Sequence, residues 1–519
     1  RRSCTMTRKA LLLVVVLALS SLVVGDDPGM LFTAGGDALA GGVEVQLPGI
    51  LSQKISGLEI ASIAGTTREL LFLNISYNLT NIVIQSFTTE SFSAEFLDHG
   101  IELTLSGISM HVTCDWEYDD QSLFFIHISD SGTATMESDE GSYEIKLLLK
   151  EHNGVPEVSL NKNKLNLKHF HLDLDGGADW FYDLFDFIIT PLVKDEIEDV
   201  VEDIIQSIAD DANSLIDAVP LPFPLPANIA FNWGMTDDLY TDDDGWGTLP
   251  IAAVFEPAAS PDADPPFVLE DLPSQVSNQT FQAVLSQFTA ESLGWALWDA
   301  GSLNITIPLG TTNDFRLLIP SLYRAFPDAP LEVTVACLAY PIIDFSSVNG
   351  MEISAAPYMY WNVQQANGTE TNAFTLILET QAQLQLAFNG TELHGHLAVP
   401  TLELILQDTK IGDFSLFSLN AAIQTVVNVV LVPAVNAVLG AGLPSPVIAG
   451  FTFANPTIGF VDNSYAYFSS AFTVAAASGS PTAVAPSFAE WVVQLWKTNS
   501  GRLPEEMAPF ATAIASAWP

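Results

Sequence analysis

The feature that most constrains the fold of this chain is a long segment with one apolar and one acidic face. Over residues 178–219, apolar side chains recur at close to the 3.6-residue period of an α-helix, and Asp and Glu occupy much of the other face. Pro191 lacks a backbone donor and predicts a bend near the middle of this helix. About forty helical residues at about 1.5 Å each would extend roughly 60 Å, which predicts an elongated body.

The same design occurs a second time, in residues 412–446. This segment has an apolar stripe that includes Ile423 and Val427, and Pro433 lies inside it. Both segments run into a proline cluster, PLPFPLP and LPSP respectively, and both follow a strand-like stretch that contains a proline. An internal repeat of this size predicts two structurally equivalent domains.

The stretch before each long segment has the period of a β-strand. Residues 58–174 alternate apolar and polar side chains between turn signals such as DHG and SDEGS, so they predict amphipathic strands. Strands followed by a long helix indicate an antiparallel sheet with helices on one face. Residues 374–388 alternate without interruption, and fifteen residues at about 3.3 Å each give a strand of close to 50 Å.

One further helix is predicted at the start of the second repeat. Residues 280–300 are expected to form an amphipathic helix with Phe281, Leu285 and Phe288 facing inward. Residues 226–272 contain proline-rich flanks and the acidic run TDDLYTDDDGWG, and we interpret them as a connector that is ordered in part.

The charge of the chain restricts its partners. Acidic residues outnumber basic ones 62 to 17, and the formal net charge is −45. Nucleic acid is excluded as a partner because phosphate binding needs clusters of Lys and Arg. Electrostatic docking on anionic membranes is disfavoured for the same reason. The high negative charge is otherwise expected to keep a monomer soluble.

The N-terminal residues predict export. A short basic stretch follows Met6, and an apolar run from Ala10 to Val24 precedes polar sequence, so residues 1–25 are interpreted as a secretory signal peptide. The expected location is the extracellular space or the lumen of the secretory pathway. Glycosylation is predicted at the six Asn-x-Ser/Thr sites, Asn74, Asn78, Asn278, Asn304, Asn367 and Asn389.

No motif in the chain predicts catalysis, a cofactor or a metal site. A nucleophile elbow, a zinc-protease motif and a phosphate-binding loop are all absent from the sequence. Two histidine pairs, His169/His171 and His394/His396, occupy corresponding strands of the two repeats, but no third ligand is evident. We interpret them as solvent-facing. Cys114 and Cys337 fall in different halves, so no disulfide framework is expected.

Several stretches resemble one known family. They are LNITIPLG and FRLLIPSLYRAFPDAPLEVTVA after residue 302, TLELILQDTKIGDFSL after residue 400, and NVVLVPAVNAVLGAGLPSPVIAGFTF after residue 427. In the first half, the GVPEVSL strand and the helix containing Trp180 carry the likeness. Over roughly residues 30–475 the chain resembles bactericidal/permeability-increasing protein, lipopolysaccharide-binding protein and the phospholipid and cholesteryl ester transfer proteins.

The resemblance implies an α+β fold of two tandem elongated domains. Each would be a strongly curved antiparallel sheet (a barrel) wrapped against long amphipathic helices, with a central sheet joining the two into a boomerang. It also implies one apolar lipid pocket per domain, between helix and sheet. The predicted pocket residues are Leu47, Ile50, Leu51, Phe185, Ile188, Leu192, Phe281, Leu285, Phe288, Ile423, Val427, Val430 and Leu431.

Two departures from the family separate the functional alternatives. The disulfide that the family usually places between strand and helix is absent, because the helix has no cysteine. The N-terminal strands also have few basic residues to bind lipid A phosphates. The first hypothesis is therefore a secreted carrier of phospholipid or neutral lipid that contacts a membrane or lipoprotein surface transiently. A lipopolysaccharide binder and an interaction module with filled pockets remain as alternatives.

The predicted boundaries follow from these segments. Residues 1–25 are the signal peptide, 26–225 the N-terminal domain, 226–272 the connector and central sheet, and 273–475 the C-terminal domain. Residues 476–519 are predicted to be a linker and a tail helix.

Overall fold

A computed structural model describes residues 28–35, 51–67, 75–120, 128–175, 189–425, 427–428, 432–440, 443–444 and 451–474, apart from positions 53, 153, 226, 243, 261–263 and 391. The predicted signal peptide and tail helix lie outside these residues, as do Leu47, Ile50, Asn74, Phe185, Ile188, Val430 and Leu431.

The strands of the first half, in chain order, are β1 Met30–Gly35, β2 Leu58–Ile60, β3 Ile63–Thr67, β4 Ile75–Thr88, β5 Ser91–Leu97, β6 Gly100–Asp120, β7 Ile128–His152, β8 Val155–Asp175, β9 Phe223–Leu225, β10 Ile229–Asn232, β11 Tyr240–Thr241, β12 Trp246–Ile251 and β13 Val254–Pro257. Those of the second half are β14 Phe281–Ser286, β15 Asn304–Thr311, β16 Pro330–Ala336, β17 Ile342–Ser346, β18 Gly350–Ala355, β19 Tyr358–Gln364, β20 Glu370–Asn389, β21 Glu392–Thr409, β22 Leu443–Pro444, β23 Phe451–Val461 and β24 Tyr465–Val474. The helices are α1 Thr190–Ile216, α2 Gln287–Asp299, α3 Pro320–Ala325, α4 Leu416–Thr425 and α5 Val432–Leu439.

The N-terminal sheet is antiparallel, as the period-two pattern predicted. Its order is β2-β4-β6-β7-β8, with β3 paired to β4 and β5 paired to β6. The alternating burial of β4 shows that one face of the sheet is apolar and packed while the other faces solvent. β8 forms one edge of the sheet, and α1 packs against it.

Helix α1 presents a single apolar stripe to that sheet. Its buried side chains recur every three or four residues and are Val193, Ile197, Val201, Ile205 and Ile208, preceded by Ile189 just before the helix. Leu192, a predicted pocket residue, is 40% exposed because it lies a quarter turn away from this stripe. Leu192 therefore does not belong to the packed stripe, and its place in a lipid pocket stays a prediction.

The described part of this helix, Thr190–Ile216, has 27 residues and extends about 40 Å at about 1.5 Å per residue. Ile189, just before it, already has helical dihedral angles, with φ −83° and ψ −42°. Residues 178–188, on the N-terminal side of Pro191, lie outside the described residues, so the bend at Pro191 stays a prediction.

A central antiparallel sheet connects the two halves of the chain. Its order is β11-β12-β1-β14-β24-β23, so it combines strands from near both ends of the chain with strands from the middle. The predicted connector 226–272 supplies only β11 and β12 of this sheet. The rest of that connector contributes β10 and β13 to a separate three-stranded sheet with β9.

The helix predicted over residues 280–300 is wrong in its first third. Residues 281–286 form β14, which pairs with β1 and β24, and α2 begins only at Gln287. Ser286 marks the change, because its side chain accepts a hydrogen bond from the N–H of Thr289 and caps the helix. Pairing on both edges outweighs the helical spacing of the apolar residues.

The C-terminal sheet is organised by β20, the long strand that the alternation at 374–388 predicted. β18 and β19 pair end to end along one edge of β20, and β21 pairs along the other. A stack of aromatic rings fills the core next to it, with ring centroids 5.5 Å apart for Phe315–Trp361, 5.0 Å for Trp361–Phe374 and 4.9 Å for Phe374–Phe414. No helix among the described residues is long and apolar enough to cross a bilayer.

Candidate functional site

The N-terminal candidate site is the interface between α1 and the apolar face of its sheet. Leu51 and Ile55 are fully buried and belong to the same core cluster as the stripe of α1. Beside them, a groove of about 350 Å³ opens between the residues before β2 and the middle of α1. The groove is lined by Lys54, Leu58, Val200, Asp203, Ile204 and Ser207.

The chemistry of this groove suits an amphipathic ligand. Leu58, Val200 and Ile204 are half-buried and supply apolar walls, while Lys54 and Asp203 supply charge at the rim. An alkyl chain in the groove would remove apolar surface from water at roughly 25 cal/mol per Å². The volume is at the lower end of the roughly 300–1,000 Å³ that is usual for small-molecule sites.

The C-terminal candidate site lies under α4 and α5. Leu419 is buried and Ile423 packs against the core cluster that contains the aromatic stack, while Val427 is half-buried. Phe281 and Leu285 are in β14 of the central sheet and not in a helix of this interface, and their role as pocket residues stays a prediction. The cause is the pairing of β14 with β1 and β24, which makes residues 281–286 a strand in place of the first third of the predicted helix.

Phe288 is also removed from that interface. It lies in the first turn of α2 and lines a separate cavity of about 320 Å³, together with Phe267, Glu270 and Glu291. Burial, followed by the nearby charges of Asp344 and Glu270, raises the pKa of Glu291 above its usual value. This cavity adjoins the central sheet and not the predicted lipid pocket.

Side chains of α1 hydrogen-bond to the backbone of the edge strand β8. The N–H of Leu167 donates to Glu198 Oε1 at 2.8 Å, and the N–H of Leu165 donates to Glu202 Oε1 at 3.0 Å. Near the end of the helix, the side-chain amide of Asn213 bonds both backbone groups of Val158. These bonds join strand and helix where the family resemblance implied a disulfide.

The C-terminal domain repeats this arrangement with other residues. Gln424 Nε2 of α4 donates to the carbonyl oxygen of Leu402 in β21 at 3.0 Å, and Asn436 of α5 bonds both backbone groups of Leu397. Sequence reasoning missed these polar contacts because it followed apolar periodicity alone. The signal available in the sequence was an Asn at a similar distance before each proline cluster.

The histidines and cysteines provide no obvious reactive centre among the described residues. His169 and His171 are exposed, and His169 Nδ1 lies 3.1 Å from Asp139 Oδ1. His394 is half-buried, and its Nδ1 lies 3.1 Å from the carbonyl oxygen of Gly440. Burial, with a smaller contribution from Asp115, raises the pKa of Cys114 to about 12, so this thiol stays protonated at neutral pH. Across the described ranges, no group of three or more His, Cys, Asp or Glu is placed to hold a metal ion.

The glycosylation predictions fall mainly on exposed positions. Asn278, Asn304, Asn367 and Asn389 are exposed, which is what attachment of a glycan requires. Asn78 is half-buried in β4, and its Nδ2 donates to Glu117 Oε1 at 2.8 Å.

Comparison with known proteins gives matches over most of the chain. Residues 44–210 match the N-terminal domain of the LBP / BPI / CETP family, and residues 250–468 match its C-terminal domain. The chain is 22% identical to a bactericidal permeability-increasing protein of Sebastes schlegelii over 467 residues, which cover 85% of this chain and 94% of that protein. It is 21% identical to the lipopolysaccharide-binding protein of Bos taurus over 491 residues, which cover 88% and 95%.

The fold matches a solved structure of the same kind. A crystal structure of lipopolysaccharide binding protein aligns with a TM-score of 0.52 at 18% identity, covering 86% of this chain and 99% of that one. At this identity the likeness concerns the fold. It agrees with the two helix-covered sheets joined by a central sheet that the strand pairings show.

Proposed function

Because the chain belongs to the LBP / BPI / CETP family, we propose that it is a secreted monomer that binds and transfers lipid, holding one molecule in each domain. The observation that carries this proposal is the apolar groove between α1 and residues 54–58, which has charged groups only at its rim. An acyl chain would lie against Val200 and Ile204, with the headgroup near Lys54 and Asp203. The interface under α4 and α5 is the equivalent place in the C-terminal domain.

Phospholipid or another apolar lipid is the ligand that the charges favour. Three lysines of the N-terminal sheet are engaged by acidic neighbours: Lys146 lies 2.8 Å from Glu102, Lys164 lies 3.1 Å from Glu202, and Lys162 pairs with Glu144. These pairs reduce the positive charge that could bind the phosphates of lipopolysaccharide. Lipopolysaccharide remains the second candidate because proteins with that ligand in their names match most of the chain.

Lipid extraction tests the proposal directly. Protein purified from the medium of secreting cells is expected to release about two acyl-lipid molecules per chain when it is unfolded, one for each apolar interface. Native mass spectrometry gives the stoichiometry, and mass spectrometry of the extract gives the lipid class. Protein from cells that lack lipopolysaccharide, challenged with phospholipid and with lipopolysaccharide, separates the two candidates. An empty protein that takes up neither would show that the interfaces are packed core and that the fold serves as an interaction module.

Transfer also needs a transient contact with a membrane or lipoprotein surface, and we place it at one end of the C-terminal domain. Leu317 is 86% exposed and Phe417 is 82% exposed. They follow Phe315 and Phe414 closely in sequence, and those two residues end the aromatic stack of the core. Leu317 lies in a turn and Phe417 in the first turn of α4, and large exposed apolar side chains at such positions can insert among acyl chains without electrostatic attraction.

Replacing both Leu317 and Phe417 with serine is expected to slow lipid transfer between uncharged vesicles by about a hundredfold or more, because the two residues together contribute roughly 3–6 kcal/mol of apolar burial and each 1.4 kcal/mol is about a factor of ten. The amount of lipid bound to the protein should not change. Fluorescence-dequenching transfer between phosphatidylcholine vesicles measures the rate. Val268 is 84% exposed elsewhere, so Val268→Ser is the matched control. Equal slowing in the control, or transfer that requires anionic vesicles, would contradict the proposed contact.

A further inference from the structure

Each domain fixes the end of its helical layer to the edge of its sheet with one asparagine. In the N-terminal domain, the N–H of Val158 donates to Asn213 Oδ1 at 2.8 Å, and Asn213 Nδ2 donates to the carbonyl oxygen of Val158 at 2.8 Å. In the C-terminal domain, the N–H of Leu397 donates to Asn436 Oδ1 at 2.6 Å, and Asn436 Nδ2 donates to the carbonyl oxygen of Leu397 at 2.8 Å. We call each of these two-bond contacts an amide clamp.

The geometry of an edge strand explains why the residue is asparagine. In an antiparallel edge strand, the N–H and C=O of every second residue point together away from the sheet and have no strand partner. A primary amide has one donor group and one acceptor side by side, so it can satisfy both backbone groups of a single residue. A carboxylate can only accept and an ammonium can only donate, so neither can form both bonds.

The two clamps occupy equivalent places in the repeat. Each edge strand has a shift in its pairing register with the neighbouring strand. The shift lies between the residue held by the asparagine and a residue that makes a second hydrogen bond to the helices. In β8 the shift lies between Leu160 and Lys162, and in β21 it lies between Ala398 and Thr401. The second contact is made by Glu202 in the N-terminal domain and by Gln424 in the C-terminal domain. This second contact is made by a carboxylate in one domain and by an amide in the other, whereas the asparagine clamp is the same in both.

The clamps can affect the rate of lipid exchange because they join the helix and the sheet between which the ligand is proposed to lie. The N-terminal groove is small for a diacyl lipid, and the stripe of α1 below it is packed against the sheet. An acyl chain that reaches beyond the open groove into this packed interface needs helix and sheet to separate. Separation at the end of the helical layer breaks both bonds of a clamp and leaves two strand groups without their partners.

We propose that Asn213 and Asn436 are positioning residues that control the rate of lipid exchange, each for its own domain. This inference rests on the proposed lipid-binding function. The bond from the N–H of Val158 and the bond to its carbonyl oxygen hold the N-terminal helix closed, and the pair at Leu397 does the same in the C-terminal domain. The two lipids therefore leave independently of each other.

The test measures lipid release and backbone opening in single variants. Asn213→Ala is expected to accelerate the release of a fluorescent acyl lipid from one of two kinetic phases by about tenfold, because both clamp bonds are lost. Asn436→Ala should accelerate the other phase. Hydrogen exchange should increase at residues 155–160 in the first variant and at residues 394–399 in the second. Ser214→Ala is the control, since the Ser214 hydroxyl donates only to the carbonyl oxygen of Asp210 in the same helix.

The pH dependence of Asn213→Asp distinguishes a role of the clamp's hydrogen bonds from a role of side-chain packing. Asn213→Asp has nearly the same shape, but an ionised carboxylate cannot donate and would face the carbonyl oxygen of Val158. Protonated aspartic acid can both donate and accept. The ratio of the release rate of Asn213→Asp to that of the wild type should therefore fall as the pH is lowered from 7.5 to 5. Facing a carbonyl oxygen raises the pKa of such a carboxyl group above about 3.9 and brings its protonation toward this range.

The possible results bear differently on the proposed role of the clamps and on the proposed lipid binding. A ratio that is constant across this pH range, or acceleration of both kinetic phases by one alanine variant, would overturn the proposed role of the clamps. Increased hydrogen exchange without faster release would also overturn it, while leaving lipid binding intact. If the wild type holds no lipid, the proposed function fails first, and hydrogen exchange in the empty protein then shows only whether the clamps hold the helices.

Discussion

Replacing Ile204 with tryptophan is expected to lower the lipid recovered with the protein by about half, because the larger side chain fills the N-terminal groove and leaves the C-terminal interface unchanged. Ile204 lines the groove and is half-buried at the border of the core cluster, whereas its neighbours Val201 and Ile205 are buried within that cluster. The substitution therefore adds its volume mainly to the groove. A native mass spectrum should change from two bound lipids to one.

The matched control for this experiment lies half a turn along the same helix. Gln206 is exposed and does not line the groove, so Gln206→Trp adds a similar volume outside the site. It should leave the lipid content at the wild-type value. Unchanged lipid in Ile204→Trp would show that no acyl chain occupies the groove. An equal loss in both variants would mean that the effect comes from the stability of the helix.

Replacing Trp361 with alanine is expected to destabilise the C-terminal domain by about 3–5 kcal/mol, the usual cost of removing a large buried aromatic side chain. Trp361 is 2% exposed and stands in the middle of the aromatic stack, with Phe315 on one side and Phe374 on the other. Removing it leaves a cavity bordered by two strands and a loop. Among the described residues, this stack and the N-terminal core belong to separate hydrophobic clusters.

Calorimetry should resolve the effect of Trp361→Ala as a shift of one unfolding transition, while a second transition, from the N-terminal domain, keeps its midpoint. Trp361→Phe is the control. Trp361 Nε1 is buried and has no hydrogen-bond partner among the described residues, so phenylalanine removes an unsatisfied donor along with some volume. We expect Trp361→Phe to change stability by less than about 1.5 kcal/mol. Equal destabilisation of both transitions would show that the two domains unfold as one unit.

The repeat and the sheet type could be predicted from the sequence because they depend on local periodicity. Alternation at period two predicted the antiparallel strands, including the long strand that became β20. The apolar stripe between residues 189 and 208 predicted a helix that covers a sheet. The family resemblance rested on the same ordered elements, and the matching domain models confirm it.

The candidate site could be predicted only in part. Leu51 and Ile423 pack in core clusters at helix–sheet interfaces, and their contact with lipid stays a prediction. Leu192 and Phe281 do not pack there, because an error of one residue in a helical stripe turns a side chain by about 100° and a strand can carry helically spaced residues. The groove itself is a gap between two segments far apart in sequence, and periodicity carries no information about such gaps.

The apolar faces of the protein and the double occurrence of its plan can be predicted from the order of neighbouring residues alone. That β1, β14 and β24 share one sheet is visible only in the folded chain. The same is true of the contacts of Asn213 with Val158 and of Asn436 with Leu397. The physical reason is that the unpaired backbone groups of an edge strand exist only once the sheet has formed, and a side chain that satisfies them cannot be recognised before then.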